Sequence, residues 1–333
     1  MTANANANLT YNVSTIREDL QEAYVFLDNI LDTPLQSSIG RGTTKNRYFE
    51  WVEVNLAAPN LTNRVIEGEN DPGNDAPTNG VRLANYTQIS DMIAEVSSTA
   101  ESVDGAGNIQ AMAKQIDLKM KELRIGMEAM LLQNIAANAG AAGTARATAG
   151  LPAFLRTNVS RATTGTPGTN PTLSGTTAGF PNAAAGDGTV RALTETIFND
   201  VIASCWRNGG QPSLVLCGDG VKRKISSSFT GTSTRYQEFK DKIINATVDI
   251  YVSDFGTLKV NATRYMETRG GTAGRDVLIL DPRYAQVKFL QTMKQAPLAK
   301  TGHSERRMIS VEYGLQVDSE KAHGIVADIN PAL

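Results

Sequence analysis

Two histidines, two cysteines and one dense run of acidic residues are the side chains from which this chain could most readily build a reactive site. Histidine is the usual general base and metal ligand near neutral pH, so His303 and His323 offer few starting points in 333 residues. His303 lies in Gly302-His303-Ser304-Glu305-Arg306-Arg307, beside a serine, a pairing that suggests a nucleophile and its base. Adjacent residues rarely face each other as that proton transfer requires, so His303 is expected at a surface or an interface. Cys205 and Cys217 match neither CxxC nor a zinc-ribbon spacing and read as buried thiols. Glu67, Glu69, Asp71 and Asp75 could hold calcium loosely through their oxygens, but their order matches no known calcium loop and a solvated turn is expected. The stretch Cys217-Gly218-Asp219-Gly220-Val221-Lys222-Arg223-Lys224 could present backbone N–H groups to a phosphate at a helix start. Asp219 would set a negative charge beside that anion, so an ordinary strand-to-helix turn is favoured. Walker, GxSxG, HExxH, EF-hand and strand-linked GxGxxG patterns do not occur. Asn-x-Ser/Thr triplets such as Asn158-Val159-Ser160 read as products of composition. The residues therefore assign no catalytic group, cofactor or metal.

Composition narrows the classes further. Thirty-two Lys plus Arg against thirty-four Asp plus Glu leave a formal charge of -2, too balanced to draw the chain to nucleic acid or membrane by net charge. With 41% hydrophobic and 20% charged residues, wholesale disorder and a fibre are both excluded. No apolar run approaches the roughly 20 residues that cross a bilayer. The start, MTANANANLTYNVSTIRED, lacks the basic and apolar regions of a secretory signal, which suggests a protein made and kept in a reducing cytosol.

The elements that would position any site are unusual in their reach. Residues 1–15 are Asn, Ala and Thr rich and read as a flexible arm, followed by a short helix from Ser14 to Ile30 with its apolar residues at three-four spacing. NRYFEWVEVNLA and VRLANYTQISDMIAEVS read as strands, and the Gly, Asp, Asn and Pro rich VIEGENDPGNDAPTNG between them makes the tip of a projecting hairpin of roughly 45 residues. Such hairpins need something to lie on. From Gly107 to Asn138 a Met-rich stripe predicts an amphipathic helix about 45 Å long, with the stripe as core packing. Residues 139–190 read as loops around the apolar island Leu151 to Leu155. A mixed α/β block follows: a helix ended by Gly209, the strand PSLVLC, a helix over GDGVKRKISSSF, two strands joined near Asp254 to Gly256, and DVLILDPRYAQVKFLQTM as a strand leading into a crossover. The alternation of Ile309, Val311, Tyr313, Leu315 and Val317 predicts a long strand, then a turn and a second short one. The long strand is expected to pair near the long helix.

An arm, a hairpin and an over-long helix that cannot bury their apolar faces alone imply that adjacent copies cover them. In that order of elements, and most specifically in Leu280-Asp281-Pro282-Arg283-Tyr284, in Pro297 to Arg307 (PLAKTGHSERR) and in Glu320-Lys321-Ala322-His323-Gly324, the chain resembles the major capsid proteins of tailed bacteriophages with the Hong Kong 97 fold. The resemblance implies an α+β, Hong Kong 97-like capsid fold: an N-terminal arm at 1–40, an E-loop hairpin at 41–96, and a peripheral domain with spine helix and connecting loop at 97–189. An α/β axial domain at 190–300 and a return to the peripheral domain at 301–333 complete it. It further implies a non-enzymatic virion protein, made in the bacterial host cytoplasm, whose hexamers and pentamers close into the icosahedral head shell of a phage of the class Caudoviricetes.

The partners implied are copies of itself, other head proteins such as portal, scaffold or decoration proteins, and non-specific contact with packaged double-stranded DNA, with no membrane and no cofactor. A balanced charge suits a shell that does not grip the moving duplex. Because the chain opens with Met1 and a short arm, any scaffold is expected to be a separate protein. In the hairpin, Tyr48, Phe49 and Trp51 are candidate apolar anchors on a neighbour and Arg47, Arg64 and Arg82 candidate ion-pair partners, while the same aromatics could instead fill the core of their own hairpin. An encapsulin-like nanocompartment shell and an α/β nucleotide-binding enzyme built on the turn at Gly218 and Gly220 are the alternatives.

Overall fold

The period-two run from Ile309 to Val317 buries all five of its apolar side chains, and the strand carrying it, Ser304–Val317, is central to one of two large sheets in a computed structural model of the chain. The structure describes residues 28–64, 66–68, 77–103, 111–230, 249–266, 272–300 and 302–330. The expected arm and the helix from Ser14 lie outside the described residues, apart from a 3-10 turn at Asp28–Leu31. The elements in chain order are α1 (Pro34–Ser38), β1 (Gly40–Thr43), β2 (Tyr48–Glu53), β3 (Val81–Tyr86), β4 (Gln88–Ser97), α2 (Ser98–Ser102) and α3 (Met112–Leu132). Then come β5 (Val159–Ser160), β6 (Thr172–Leu173), β7 (Pro181–Ala183), α4 (Glu195–Arg207), β8 (Leu214–Cys217), α5 (Asp219–Thr230), β9 (Ile250–Ser253) and β10 (Gly256–Ala262). The chain closes with β11 (Val277–Leu280), β12 (Ala285–Pro297), β13 (Ser304–Val317) and β14 (Gly324–Val326).

The four-stranded sheet runs β1-β12-β13-β4, with β1 parallel to β12 and the other pairs antiparallel. Helix α3 packs across β4 and β13, as the Met-rich stripe predicts, burying Leu123, Met127, Leu131 and Leu132 in a shared core with Ile309, Val311 and Tyr313. It has 21 residues, about 30 Å of helix, where the periodicity predicts about 45 Å. At Gln133 the backbone turns extended, and the Asn134 side chain holds the next segment by donating to Ala185 O and accepting from Ala185 N–H. Gly150 passes so close that a Cβ there would sit 1.8 Å from Gln133 O, a contact only glycine allows. The N-terminal part of the expected helix, 107–110, lies outside the described residues.

The six-stranded sheet runs β5-β14-β11-β8-β10-β9, and β8 and β11 are buried throughout. Thr194 caps α4 by accepting the Ile197 N–H, Gly209 ends it at φ 91°, and Phe198, Val201, Ile202 and Cys205 form its buried stripe. Residues 139–190 are turns, isolated bridges and three two- or three-residue strands, and their apolar island is a plug: Leu151, Ala153, Phe154 and Leu155 are all buried.

Two sequence runs split between sheets. DVLILDPRYAQVKFLQTM gives β11 in the six-stranded sheet and β12 in the four-stranded one, turning at Asp281-Pro282-Arg283-Tyr284. VRLANYTQISDMIAEVS breaks at the buried Thr87, whose N–H and hydroxyl bond Arg47 O, leaving β3 to pair β2 and β4 to pair β13.

Candidate functional site

The β2–β3 hairpin sorts its residues by side. Antiparallel register places Tyr48 opposite Tyr86 and Glu53 opposite Val81. Odd positions point inward: Phe49 and Trp51 are buried, stacked with centroids 5.9 Å apart, and Trp51 meets Phe154 at 6.1 Å. Phe49 lies over Gly314 of β13, where a Cβ would come within 2.7 Å of the ring. Tyr48 is half-buried, 4.9 Å from Tyr86 and 6.4 Å from Phe180 between ring centroids, and burial raises its pKa.

The six candidate residues therefore separate. Phe49 and Trp51 are spent on the core of their own chain and leave nothing for a neighbour to cover, because the inward face of β2 lies directly on β13 and the 151–155 plug. Arg47, Arg64 and Arg82 remain outward, and Arg82 meets Glu50 at 3.7 Å in an exposed pair of little energetic weight. The apolar residues that the hairpin turns to solvent are others: Val52, Val54, Leu56, Leu61 and Ile66, with Leu56 86% and Leu61 87% exposed. The signal for Val52 and Val54 was the same period-two alternation that marks Phe49 and Trp51, read on its other face. Two leucines exposed to that extent in one loop are apolar surface of the sort a partner covers.

Between α3 and the β1–β12 edge of the four-stranded sheet is an open groove of about 420 Å³. Its floor is apolar, from Met127, Phe289, Met293 and Val311, and Arg41 and Arg124 stand on its rim. The neighbouring α1 is tied down by Glu128, a buried carboxylate that accepts the Leu35 and Gln36 N–H groups at 2.7 and 3.0 Å. Burial raises the Glu128 pKa against those two bonds.

Where the two sheets meet, the corner at 281–284 and the segment at 320–323 come together. The buried His323 accepts the Asp281 N–H at Nδ1 (3.2 Å), with Nε2 3.4 Å from Tyr284 O, and burial lowers its pKa. Arg283 forks onto the Asp281 carboxylate at 2.9 and 2.6 Å. Glu320 accepts the Arg156 and Thr157 N–H groups and the Thr157 hydroxyl. The Asn158 amide donates to Lys321 O and His323 O and accepts from Ser204 and Asn208. This network bonds its members to each other where the chain passes from one sheet to the other.

The chemical candidates stay apart from one another. At the turn before α5, the Gly220 N–H donates to Asp219 Oδ1 and Lys222 Nζ reaches Asp249 and Val260 O, so the chain's own groups fill the positions an anion would take. Cys205 and Cys217 are buried, and burial pushes the Cys205 thiol up to about 12, far from a nucleophile's range. His303 is exposed. Glu67 is exposed, while Glu69, Asp71 and Asp75 lie outside the described residues. Among the described residues no three His, Cys, Asp or Glu side chains gather as a metal site, and no helix is long and apolar enough to cross a membrane.

Comparison with known proteins gives a consistent picture. The sequence profile of the family described as SU10 major capsid protein matches residues 3–330. A stretch of 102 residues is 31% identical to the major capsid protein of Escherichia phage Phieco32, covering 30% of this chain and 28% of that protein's length. Among solved structures, the SrpI encapsulin complex of Synechococcus elongatus matches with a TM-score of 0.57 at 9% identity, over 95% of this chain and 94% of that one. The capsid of Myoviridae Phage XM1 matches with a TM-score of 0.51 at 12% identity, over 98% of this chain and all of that one. At such identities the structural likeness carries the fold alone, and that fold is shared by phage capsids and an encapsulin.

Proposed function

Because this chain belongs to the SU10 major capsid protein family, we propose that its work is construction: copies of it associate into the icosahedral head shell of a tailed double-stranded DNA phage. The observation that carries this reading is the family match across residues 3–330, and the exposed apolar residues Val52, Val54, Leu56, Leu61 and Ile66 supply a physical reason for association. Apolar surface of that kind is stable in water when a sister copy buries it. The family match also favours a phage head over an encapsulin-like compartment, although the fold is common to both.

In this reading residues 1–40 are the arm, 41–96 the E-loop hairpin, 97–189 and 301–333 the peripheral domain, and 190–300 the axial domain. The hairpin of one subunit lies over the peripheral domain of the next within hexamers and pentamers, with Arg47 and Arg64, and Arg82 out of its weak exposed pair with Glu50, meeting charges there. The exposed aliphatic residues take the anchoring role that the aromatics give to their own core. Portal, scaffold and decoration proteins and packaged DNA are further partners, the last held loosely as the formal charge of -2 suits. Assembly of this kind needs no turnover, and we assign the chain no enzymatic activity and no cofactor. Synthesis takes place in the bacterial host cytoplasm.

Size-exclusion chromatography with negative-stain microscopy of the expressed chain tests the proposal. Shells or hexameric capsomers are expected. A folded monomer persisting at high concentration, with or without bound nucleotide, would contradict it.

A further inference from the structure

We propose that Arg161, Asp276 and Asp328, buried where the chain leaves β14 and the six-stranded sheet, form a proton-operated clasp on the C-terminal run 327–330: Asp276 holds a proton while the clasp is closed and gives it up as the clasp loosens. The clasp belongs to the single subunit and stands whether or not copies of the chain assemble. Three observations carry it.

The first is a charge count. Arg161, Asp276 and Asp328 are 9%, 6% and 3% exposed, so two carboxyl groups share one guanidinium out of water. The exposed Asp187 adds a negative charge that acts on Asp276 and Arg161, and the half-buried Arg191 a positive one that acts on Asp328 and Arg161. With both included, three carboxyls still face two guanidiniums. Buried carboxyls in excess of their cations shed the surplus charge by keeping a proton.

The second observation decides which carboxyl keeps it. Asp328 gives both oxygens to backbone donors, Oδ2 to the Ala162 N–H at 2.9 Å and Oδ1 to the Gly188 N–H at 2.7 Å. Asp276 accepts one backbone N–H, that of Asp328. Arg161 turns its Nε to Asn170 Oδ1 at 3.1 Å, and its Nη2 is buried without a hydrogen-bond partner, so the guanidinium does not fork onto either carboxylate. Burial pushes the Asp276 carboxyl up to about 7, with Asp187 and Asp328 adding to the rise and Arg161 and the Asp328 N–H opposing it.

The third is what the cluster holds. Asp328 stands at φ 62°, in the left-handed region that costs a residue with a Cβ, and Gly168 and Gly188 pass so close that a Cβ on them would lie 2.8 and 3.0 Å from Asp328 Oδ2. On either side of it the Ala327 N–H donates to Ser160 O and the Ile329 N–H to Arg275 O, both bonds made by immediate neighbours of Arg161, Asp276 and Asp328. The Asn330 N–H donates to Arg191 O, and the Arg191 N–H to Asp328 O. Ionising Asp276 puts an unmatched charge beside this strap, and opening the run to water is the route that hydrates it.

The test compares the full chain with Asp276→Asn, whose amide oxygen can still accept the Asp328 N–H but carries no charge. A carboxyl at about 7 in the fold and about 3.9 unfolded gives its full stability below the unfolded value and loses it as pH rises through the folded one. In urea titrations the native unfolding constant divided by that of the variant is expected to rise about tenfold per pH unit from pH 5 to about 6.5, and to level off above about 7.5. His323 and the exposed carboxyls titrate alike in both proteins and cancel in that ratio. Exchange of the Ala327, Ile329 and Asn330 amide protons, corrected for its intrinsic pH dependence, should quicken over the same range in the native chain and stay level in the variant.

A flat ratio overturns the inference. So does a rising ratio with equal exchange at 327–330 in the two proteins, which would make Asp276 a titrating group that holds nothing. If Asp276→Asn does not fold, the native chain labelled with carbon-13 at its aspartate carboxyls decides. An Asp276 resonance that moves between pH 6 and 8, in step with exchange at 327–330, is expected; one that has finished moving by pH 5 sinks the proposal.

Discussion

His323 has one lone pair to offer at Nδ1, and the Asp281 N–H already occupies it. The ring is therefore neutral, with its proton on Nε2 facing Tyr284 O. Protonation would set N–H against N–H in a buried site, and burial is the largest cause of its lowered pKa, opposed by the Tyr284 carbonyl and by Asp281, Glu320 and Asp318. A base whose folded pKa lies below its unfolded value of about 6.5 gives its full stability above that pH and loses it as pH falls through the folded pKa. The unfolding midpoint of the native chain is thus expected to drop from pH 7 to pH 5 more steeply than that of His323→Gln, whose amide oxygen can still accept the Asp281 N–H. Parallel curves for the two proteins would remove His323 from the acid response. Asn158 is the second residue on which the junction depends. Its amide bonds Lys321 O and His323 O, more than 160 positions away, so Asn158→Ala strands one buried and one part-buried carbonyl and should cost about 2 kcal/mol in a urea titration. A cost below about 1 kcal/mol would mean that water replaces the amide. Nothing in a lone sequence marks Asn158 for this role, because the triplet around it reads equally well as chance and its partners are set only by the fold.

At the scale of elements, periodicity carried most of the information and topology carried the rest. The alternation in β13, the stripe of α3 and the Gly209 end of α4 were legible because each is a local pattern, whereas the start of α4 at its Thr194 cap was not read. VRLANYTQISDMIAEVS, read as one strand, is two, because the break at Thr87 is caused by pairing with distant strands and not by a change of local propensity. DVLILDPRYAQVKFLQTM, read as a strand leading into a crossover, turns locally at Asp281-Pro282 and then adds a second strand whose sheet is set by distant pairing. For the same reason the sequence showed that Phe49 and Trp51 are apolar and shared a face, yet could not show which body that face meets. The Phe49–Gly314 contact tests the answer. A valine at 314 would place its Cβ 2.7 Å from the Phe49 ring and 3.0 Å from Tyr86 O, on backbone that cannot yield cheaply. Gly314→Val is expected to lose about 3 kcal/mol and to expose Trp51, read as quenching of its fluorescence by added iodide. Unaltered quenching in that variant would mean that the hairpin does not lie on β13 in solution.

The whole molecule holds two apolar inventories, one satisfied and one not. The large cores joining α3, the two sheets and the 151–155 plug are closed within the chain, whereas Val52, Val54, Leu56, Leu61 and Ile66 face solvent. Burying a leucine fully is worth about 1.5–3 kcal/mol, so two leucines at every subunit contact weigh heavily in an assembly that repeats one contact many times. They weigh little in folding, because neither is covered in the single chain and surface changes usually stay within about 0.5 kcal/mol. Leu56→Asp with Leu61→Asp should therefore leave thermal unfolding of the isolated subunit in place, raise its solubility and abolish shell formation in the same preparation. The two readouts must be taken together: a variant that melts early has lost a contact inside its own fold, and one that still closes into shells shows that these leucines remain wet in the particle. Either result would move the driving force for assembly away from the hairpin and onto surfaces elsewhere on the subunit, with the exposed Ile250 and Val252 of the edge strand β9 the next to be changed.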